Sequence, residues 1–239
     1  MTIPDRAPLE RAPLERAALE RDVRMAARAM ARAGLVHAYG HCSARLDADN
    51  FIVCPPRPMG LVAPGEPCDL VSISQGLPTT ILGEVRIHQQ IYRRRAEVGG
   101  VVRFMSPRMM ALAALGRTPR ARHGFGCYFA PSPPLWSDPQ LVRDEASAEG
   151  VARTMGASAA VMMRGNGAVT AGDTIRDAVV LAFYLEDACR VELEALAAGL
   201  ADDAPVIEGA EASRRATKAG RIFERMWDFL AADDPELQG

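Results

Sequence analysis

The sequence predicts an α/β fold in which short strands gather in clusters between helices. Three observations carry that class. Apolar residues recur at helical spacing in several segments, while residues 42–46, 98–104 and 159–163 read as strands from alternation or continuous apolar runs. The strand runs do not alternate regularly with helices. No Gly-x-Gly-x-x-Gly turn is present either, which argues against a Rossmann domain. Of 239 residues, 49% are hydrophobic, enough for a sizeable core.

Along the chain, residues 6–20 hold a repeat, Arg-Ala-Pro-Leu-Glu twice and then Arg-Ala-Ala-Leu-Glu. Its five-residue period fits neither helix nor strand, and Pro8 and Pro13 are expected to block a continuous helix. Residues 1–14 therefore read as a mobile arm. A helix starts near Pro13, runs to about Arg32 on good helix formers and stops at Gly34. Strands follow at 42–46, 51–53 and 70–73, with a proline-rich loop over 55–67. A helix from Gly83 turns its apolar face through Ile87, Ile91 and Tyr92. After the buried strand 98–104 comes a helix over 108–115, ended by Gly116, then a long loop over 117–139. Residues 141–155 read as a helix closed by Gly156, and 159–163 and 168–171 as strands around the turn Gly165-Asn166-Gly167. Asp173 or Thr174 caps the strongest helix, which reaches about Ala198. A linker from Gly199 leads to one amphipathic C-terminal helix over 210–230, packed on the domain or a neighbouring subunit. The organisation is thus an arm (1–14), a domain (15–200), and a linker with a helix (201–239).

A net charge of -2 and few aromatic residues point away from nucleic acid as partner. No apolar run approaches the ~20 residues that span a bilayer, and the N-terminus has no signal-like apolar core. Five scattered cysteines form neither a metal knuckle nor a disulfide framework, so reduced thiols in a cytoplasmic protein are expected.

Four segments in order resemble the class II aldolase/adducin superfamily. They are Gly40-His41-Cys42-Ser43-Ala44-Arg45; Gly83-Glu84 through His88, with Tyr92 and Arg95; Val101-Val102-Arg103-Phe104-Met105-Ser106-Pro107; and Arg164-Gly165-Asn166-Gly167, with Gly172 and Leu185-Glu186. The resemblance spans about residues 20–200. It implies a three-layer α/β/α sandwich around a mostly antiparallel sheet, commonly in a homotetramer with sites between subunits. In the family three histidines hold a divalent metal that stabilises an enolate, help worth several kcal/mol. Here Arg103 and Met105 stand for the His-x-His pair and Asn166 for the third histidine. Arginine cannot coordinate, and Met and Asn are poor ligands for zinc or manganese, so no metal and no other cofactor is expected.

The residues then sort by chemistry. Glu84 stands at the family's acid/base position, and Arg103 brings a fixed cation able to hold a carboxylate or an enolate oxygen. The alternative for this couple is a closed ion pair in an inactive scaffold. Aldolases for phosphorylated sugars place small donors where this chain has His41, Pro56-Arg57 and Leu82-Gly83, so a phosphorylated substrate is not expected. The variants look more like the branch that handles aromatic carboxylates, including hydroxyphthalate-type decarboxylases. Substrate positioning is assigned to His41, Arg57, Asn166, His88 and His123, although His88 has a purely structural reading, Arg57 also reads as a solvated loop arginine and His123 as an incidental loop histidine. The expected activity is metal-independent carbon–carbon cleavage, a decarboxylase or retro-aldol reaction, on a small unphosphorylated carboxylate. The alternatives are a non-catalytic adducin-like binding protein and an enolate-type dehydratase, isomerase or cyclase.

Overall fold

The computed structural model of this protein describes residues 8–238, so residues 1–7 of the expected arm lie outside the described residues. Helix α1 spans Pro8–Arg32, longer at its start than the expected helix. Pro8 does not block it, because a first-turn residue has no intrahelical partner for an N–H and proline's fixed φ suits that position. Pro13 also lies within the helix rather than at its start.

A single seven-stranded sheet forms the middle layer. Its strands are β1 (His41–Arg45), β2 (Asn50–Val53), β3 (Asp69–Ser72), β4 (Gly100–Phe104), β5 (Leu135–Trp136), β6 (Ala160–Met163) and β7 (Gly167–Gly172). They lie in the order β3-β2-β1-β4-β7-β6-β5. Every pairing is antiparallel except that of β5 with β6. The remaining helices are α2 (Arg86–Arg94), α3 (Pro107–Ala114), α4 (Glu145–Met155), α5 (Ile175–Ala197), α6 (Gly209–Arg215) and α7 (Ile222–Ala231). This is the expected α/β/α sandwich.

Side-chain alternation divides the core in two. Cys42, Ala44, Val102 and Phe104 face a layer built from α1, α3, α5 and α7. Val101 and Val169 face the opposite layer, where Ile87, Ile91 and Tyr92 of α2 meet Val151 and Met155 of α4. His41, Ser43 and Arg103 occupy the alternate positions that point to this second layer. The register sets His41 directly opposite Arg103.

Several family-like residues hold the frame. Arg45 donates to the carbonyls of Tyr92, Arg95 and Val98, closing the C-terminal end of α2. Glu186 accepts from Ser106 Oγ and from the N–H groups of Arg108 and Met109, capping α3 from across the layer.

Three further expectations are corrected by the structure. Helix α4 starts at Glu145, because Asp144 caps it by accepting from Ser147 N at 2.8 Å. The loop over 117–139 contains β5, and Trp136 packs against the α4 side of the core. The expected helix 210–230 is two helices: Gly220 at φ 72 and Arg221 at φ 56 break it, and α7 turns onto α1 and α5.

Beyond α7 the chain clasps α1. Arg24 grips Glu236 with Nε and Nη2 at 2.7 and 2.9 Å, and Arg28 grips Asp234 at 2.8 and 2.7 Å. Arg32 adds a third contact to Asp234 at 3.1 Å. Asp234 is fully buried, and its charge is compensated by Arg28 and Arg32 and by the Glu236 N–H at 3.1 Å.

Candidate functional site

The second layer opens into a cavity of about 1010 Å³ at the ends of β1 and β4. Glycine makes its walls possible at two points. Gly40 enters β1 at φ 148, where a side chain would press on Val36, Met59 and the Arg103 carbonyl. Gly167, at φ 89, brings the β6–β7 turn so close to the Phe104 carbonyl that no side chain fits there. That turn presents Asn166 to the end of β4.

Glu84, Arg103 and Asn166 meet on the cavity wall. Arg103 Nη2 lies 3.0 Å from Glu84 Oε2 and donates to Asn166 Oδ1 at 2.8 Å and to the Asn166 carbonyl at 3.2 Å. Asn166 Nδ2 donates to Glu84 Oε1 at 3.0 Å, and Val142 N donates to the same oxygen at 3.3 Å. All these contacts of Arg103 use one nitrogen. Its Nε is buried without a partner, although the residue is only 2% exposed. Burial pushes the guanidinium below its usual pKa, and Glu84 opposes that shift.

His41 lines the cavity beside Arg103, while His88 lies behind it. His41 Nδ1 and His88 Nε2 are 2.9 Å apart, His88 Nδ1 is 2.6 Å from Ser43 Oγ, and Ser43 Oγ is 2.9 Å from Tyr92 Oη. His41 Nε2 is buried with no partner. Burial, helped by the Arg103 charge, pushes His88 down to about 3 and holds His41 well below the usual imidazole range.

The structure thus brings Glu84, Arg103, Asn166, His41 and Arg57 around one cavity. Arg57 sits at its edge, bonded to the Leu61 carbonyl and to Glu66, both at 3.3 Å. His88 supports the wall without lining it. His123 lies apart, 3.5 Å from Asp187 in the middle of α5. Two lining arginines were not among the expected site residues, Arg86 and Arg143. Arg86 follows Glu84 by two positions in a quoted motif. Arg143 was placed inside a helix, whereas the Asp144 cap leaves it in a loop. The cavity lining therefore holds four arginines and one carboxylate, Glu84, with Glu66 and Glu145 pairing Arg57 and Arg86 from outside it, an arrangement that suits an anionic ligand.

The matches with known proteins agree with this architecture. Residues 21–193 match the model of the class II aldolase and adducin N-terminal domain family. The chain belongs to that family. It is 28% identical over 198 residues to a 3,4-dihydroxyphthalate decarboxylase of Terrabacter sp. (strain DBF63), covering 73% of this chain and 80% of that protein. A 3,4-dihydroxyphthalate decarboxylase of Arthrobacter keyseri is 26% identical, with 74% and 78% covered. In fold the chain is similar to L-fuculose 1-phosphate aldolase from Glaciozyma antarctica PI12, with TM-score 0.74, 22% identity, and 98% and 96% of the two chains covered.

The metal implied by the family does not fit the residues present. Arg103 puts a cation in the space between Glu84 and Asn166, and it uses the Asn166 amide oxygen that a metal would need. Among the described residues no three His, Cys, Asp or Glu side chains are grouped to hold a metal ion. No helix among them is long and apolar enough to cross a membrane.

Proposed function

We propose that this chain is a carbon–carbon lyase that removes carbon dioxide from, or cleaves in retro-aldol fashion, a small unphosphorylated aromatic carboxylate, with Arg103 in the metal's place. What carries the reading is a cavity lined by Arg57, Arg86, Arg103 and Arg143 with a single acid, Glu84. The decarboxylase names of the two relatives agree with it.

In a decarboxylation the bond between ring carbon and carboxylate breaks, its electron pair stays on the carbon side, and a proton replaces the departing CO2. Arg103 stands where it stabilises the developing negative charge. Glu84, beside Arg103, passes to that carbon a proton drawn from water. Arg57, His41 and Asn166 hold the substrate, joined by Arg86 and Arg143 on the same wall. Assembly as a cytoplasmic homotetramer belongs to this reading: Tyr39, Leu82 and Leu141 stand exposed among the lining residues, where a neighbouring subunit would cover them.

The test is CO2 release from 3,4-dihydroxyphthalate and simpler benzene carboxylates by chelator-treated protein. Turnover that survives metal removal and collapses in Arg103→Met supports the proposal. Activity that returns only with zinc or manganese overturns the metal-free part. A lack of turnover across the series, with Arg103→Met changing stability alone, favours the binding-protein alternative that the Arg103–Glu84 pair suggests.

A further inference from the structure

We propose that His41 Nε2 recognises a substrate hydroxyl group adjacent to the bound carboxylate, held in place for this by His88, Ser43 and Tyr92. The substrate is then a carboxylate with a neighbouring hydroxyl, on an aromatic ring an ortho-hydroxy acid. This rests on the preceding reading only in taking the cavity as the place where a carboxylate binds.

The first support is an unspent polar atom. His41 is 3% exposed and lines the cavity, yet its Nε2 has no partner within the chain. A buried polar atom without a partner is costly, and a ligand that satisfies it recovers that cost. The second is the string behind the ring. His41 Nδ1 is engaged by His88, His88 by Ser43, and Ser43 by Tyr92, all four residues being buried. These contacts fix the ring plane, as a positioned imidazole requires.

The chemistry of the ring selects a hydroxyl. Burial and the nearby Arg103 keep His41 uncharged, so Nε2 carries either one N–H or one lone pair. The hydroxyls of Ser43 and Tyr92 can rotate, which lets the string run in either direction. A hydroxyl both donates and accepts, so it matches Nε2 in either state. A carboxylate only accepts, and the arginines offer it far stronger partners. Position sets the two groups side by side. His41 and Arg103 are directly opposed across β1 and β4, and opposed side chains stand roughly 5 Å apart at Cβ. Neighbouring ring substituents suit that spacing.

The experiment is calorimetric binding of phthalate, 3-hydroxyphthalate and 4-hydroxyphthalate to the full chain. We expect 3-hydroxyphthalate, with its hydroxyl beside a carboxylate, to bind roughly ten- to hundredfold tighter than phthalate, and 4-hydroxyphthalate to gain less. His41→Phe should abolish the preference, binding 3-hydroxyphthalate no tighter than phthalate. His41→Gln, whose amide still donates and accepts, should retain part of it. Because the wild-type comparison needs no variant, a misfolded variant does not spare the idea. Equal binding of the three ligands by the wild type, or a preference that survives in folded His41→Phe, overturns this inference and leaves the carboxylate cavity standing. Failure of all three to bind removes the carboxylate cavity itself, and the inference with it.

Discussion

Two buried arginine centres in this chain differ in how fully their hydrogen-bonding capacity is used. At the C-terminal clasp, Arg28 gives Nε and Nη2 to Asp234 and Nη1 to the Val62 carbonyl, so each of its nitrogens has an acceptor. At the cavity, Arg103 makes its contacts through Nη2 alone and leaves Nε buried and unpaired. Buried ion pairs cost desolvation, and a structural one recovers it by satisfying every donor. The clasp does so. The cavity centre, beside an open space, leaves capacity for an incoming anion.

The clasp gives the largest expected effect. Asp234→Ala leaves Arg28 and Arg32 without their buried partner and should cost about 3–5 kcal/mol of stability in urea unfolding, with turnover of the folded protein unchanged. A loss below about 1 kcal/mol would put the clasp among weak surface pairs and erase the contrast. Next comes the cavity. Arg103→Met should lower turnover roughly 10²–10³-fold while stability falls less than in Asp234→Ala. A deep loss of stability with turnover intact would make Arg103 a second clasp.

The dependence of stability on pH separates the two regions at a smaller scale. His88, pushed down to about 3 mainly by burial, binds its proton less readily folded than unfolded. Its contribution is therefore full above the unfolded value of about 6.5 and is lost as pH falls from there toward 3, at up to about 1.4 kcal/mol per pH unit. Burial pushes Asp234 and Glu236 upward, but the arginine contacts outweigh it and both end lowered. Their contribution is full above about pH 4 and is lost only below that, as pH falls through their folded values. Unfolding measured across pH should show both windows, with His88→Gln flattening the upper and Glu236→Gln the lower. A flat profile between pH 6.5 and 5 would mean that the histidine pair accepts protons in the folded state.

Much of this was legible in the sequence, and particular residues show why. Glycines at 34, 116 and 156 marked helix ends because a left-handed residue there is a local matter. The strand β1 was visible from alternation, β4 and β6 as apolar runs and β7 after the Gly165-Asn166-Gly167 turn, and four short motifs pointed to their family arrangement. The meeting of Glu84, Arg103, Asn166 and His41 followed from those motifs. Arg143 was missed because the amphipathic pattern over 141–155 runs past the Asp144 cap. The clasp was missed because its partners lie more than 200 positions apart, as Arg28 and Asp234 do. Its only local trace was the four-residue spacing of Arg24, Arg28 and Arg32 on one helix face. His123 entered the candidates by residue type alone, and the fold carries it away from the cavity.

The strand order has a kinetic consequence. Arg103 lies on β4, the fourth of seven strands, and its neighbours β1 and β7 come from distant parts of the sequence. No local fraying frees the backbone of such a strand, so its amide protons exchange with solvent only when the whole domain opens. Arg57 and Arg143 lie in loops beside the same cavity, where local opening costs less than in a central strand. The backbone that carries the central cation is thus released only with the folded state, while the backbone that carries Arg57 and Arg143 is tied to no strand.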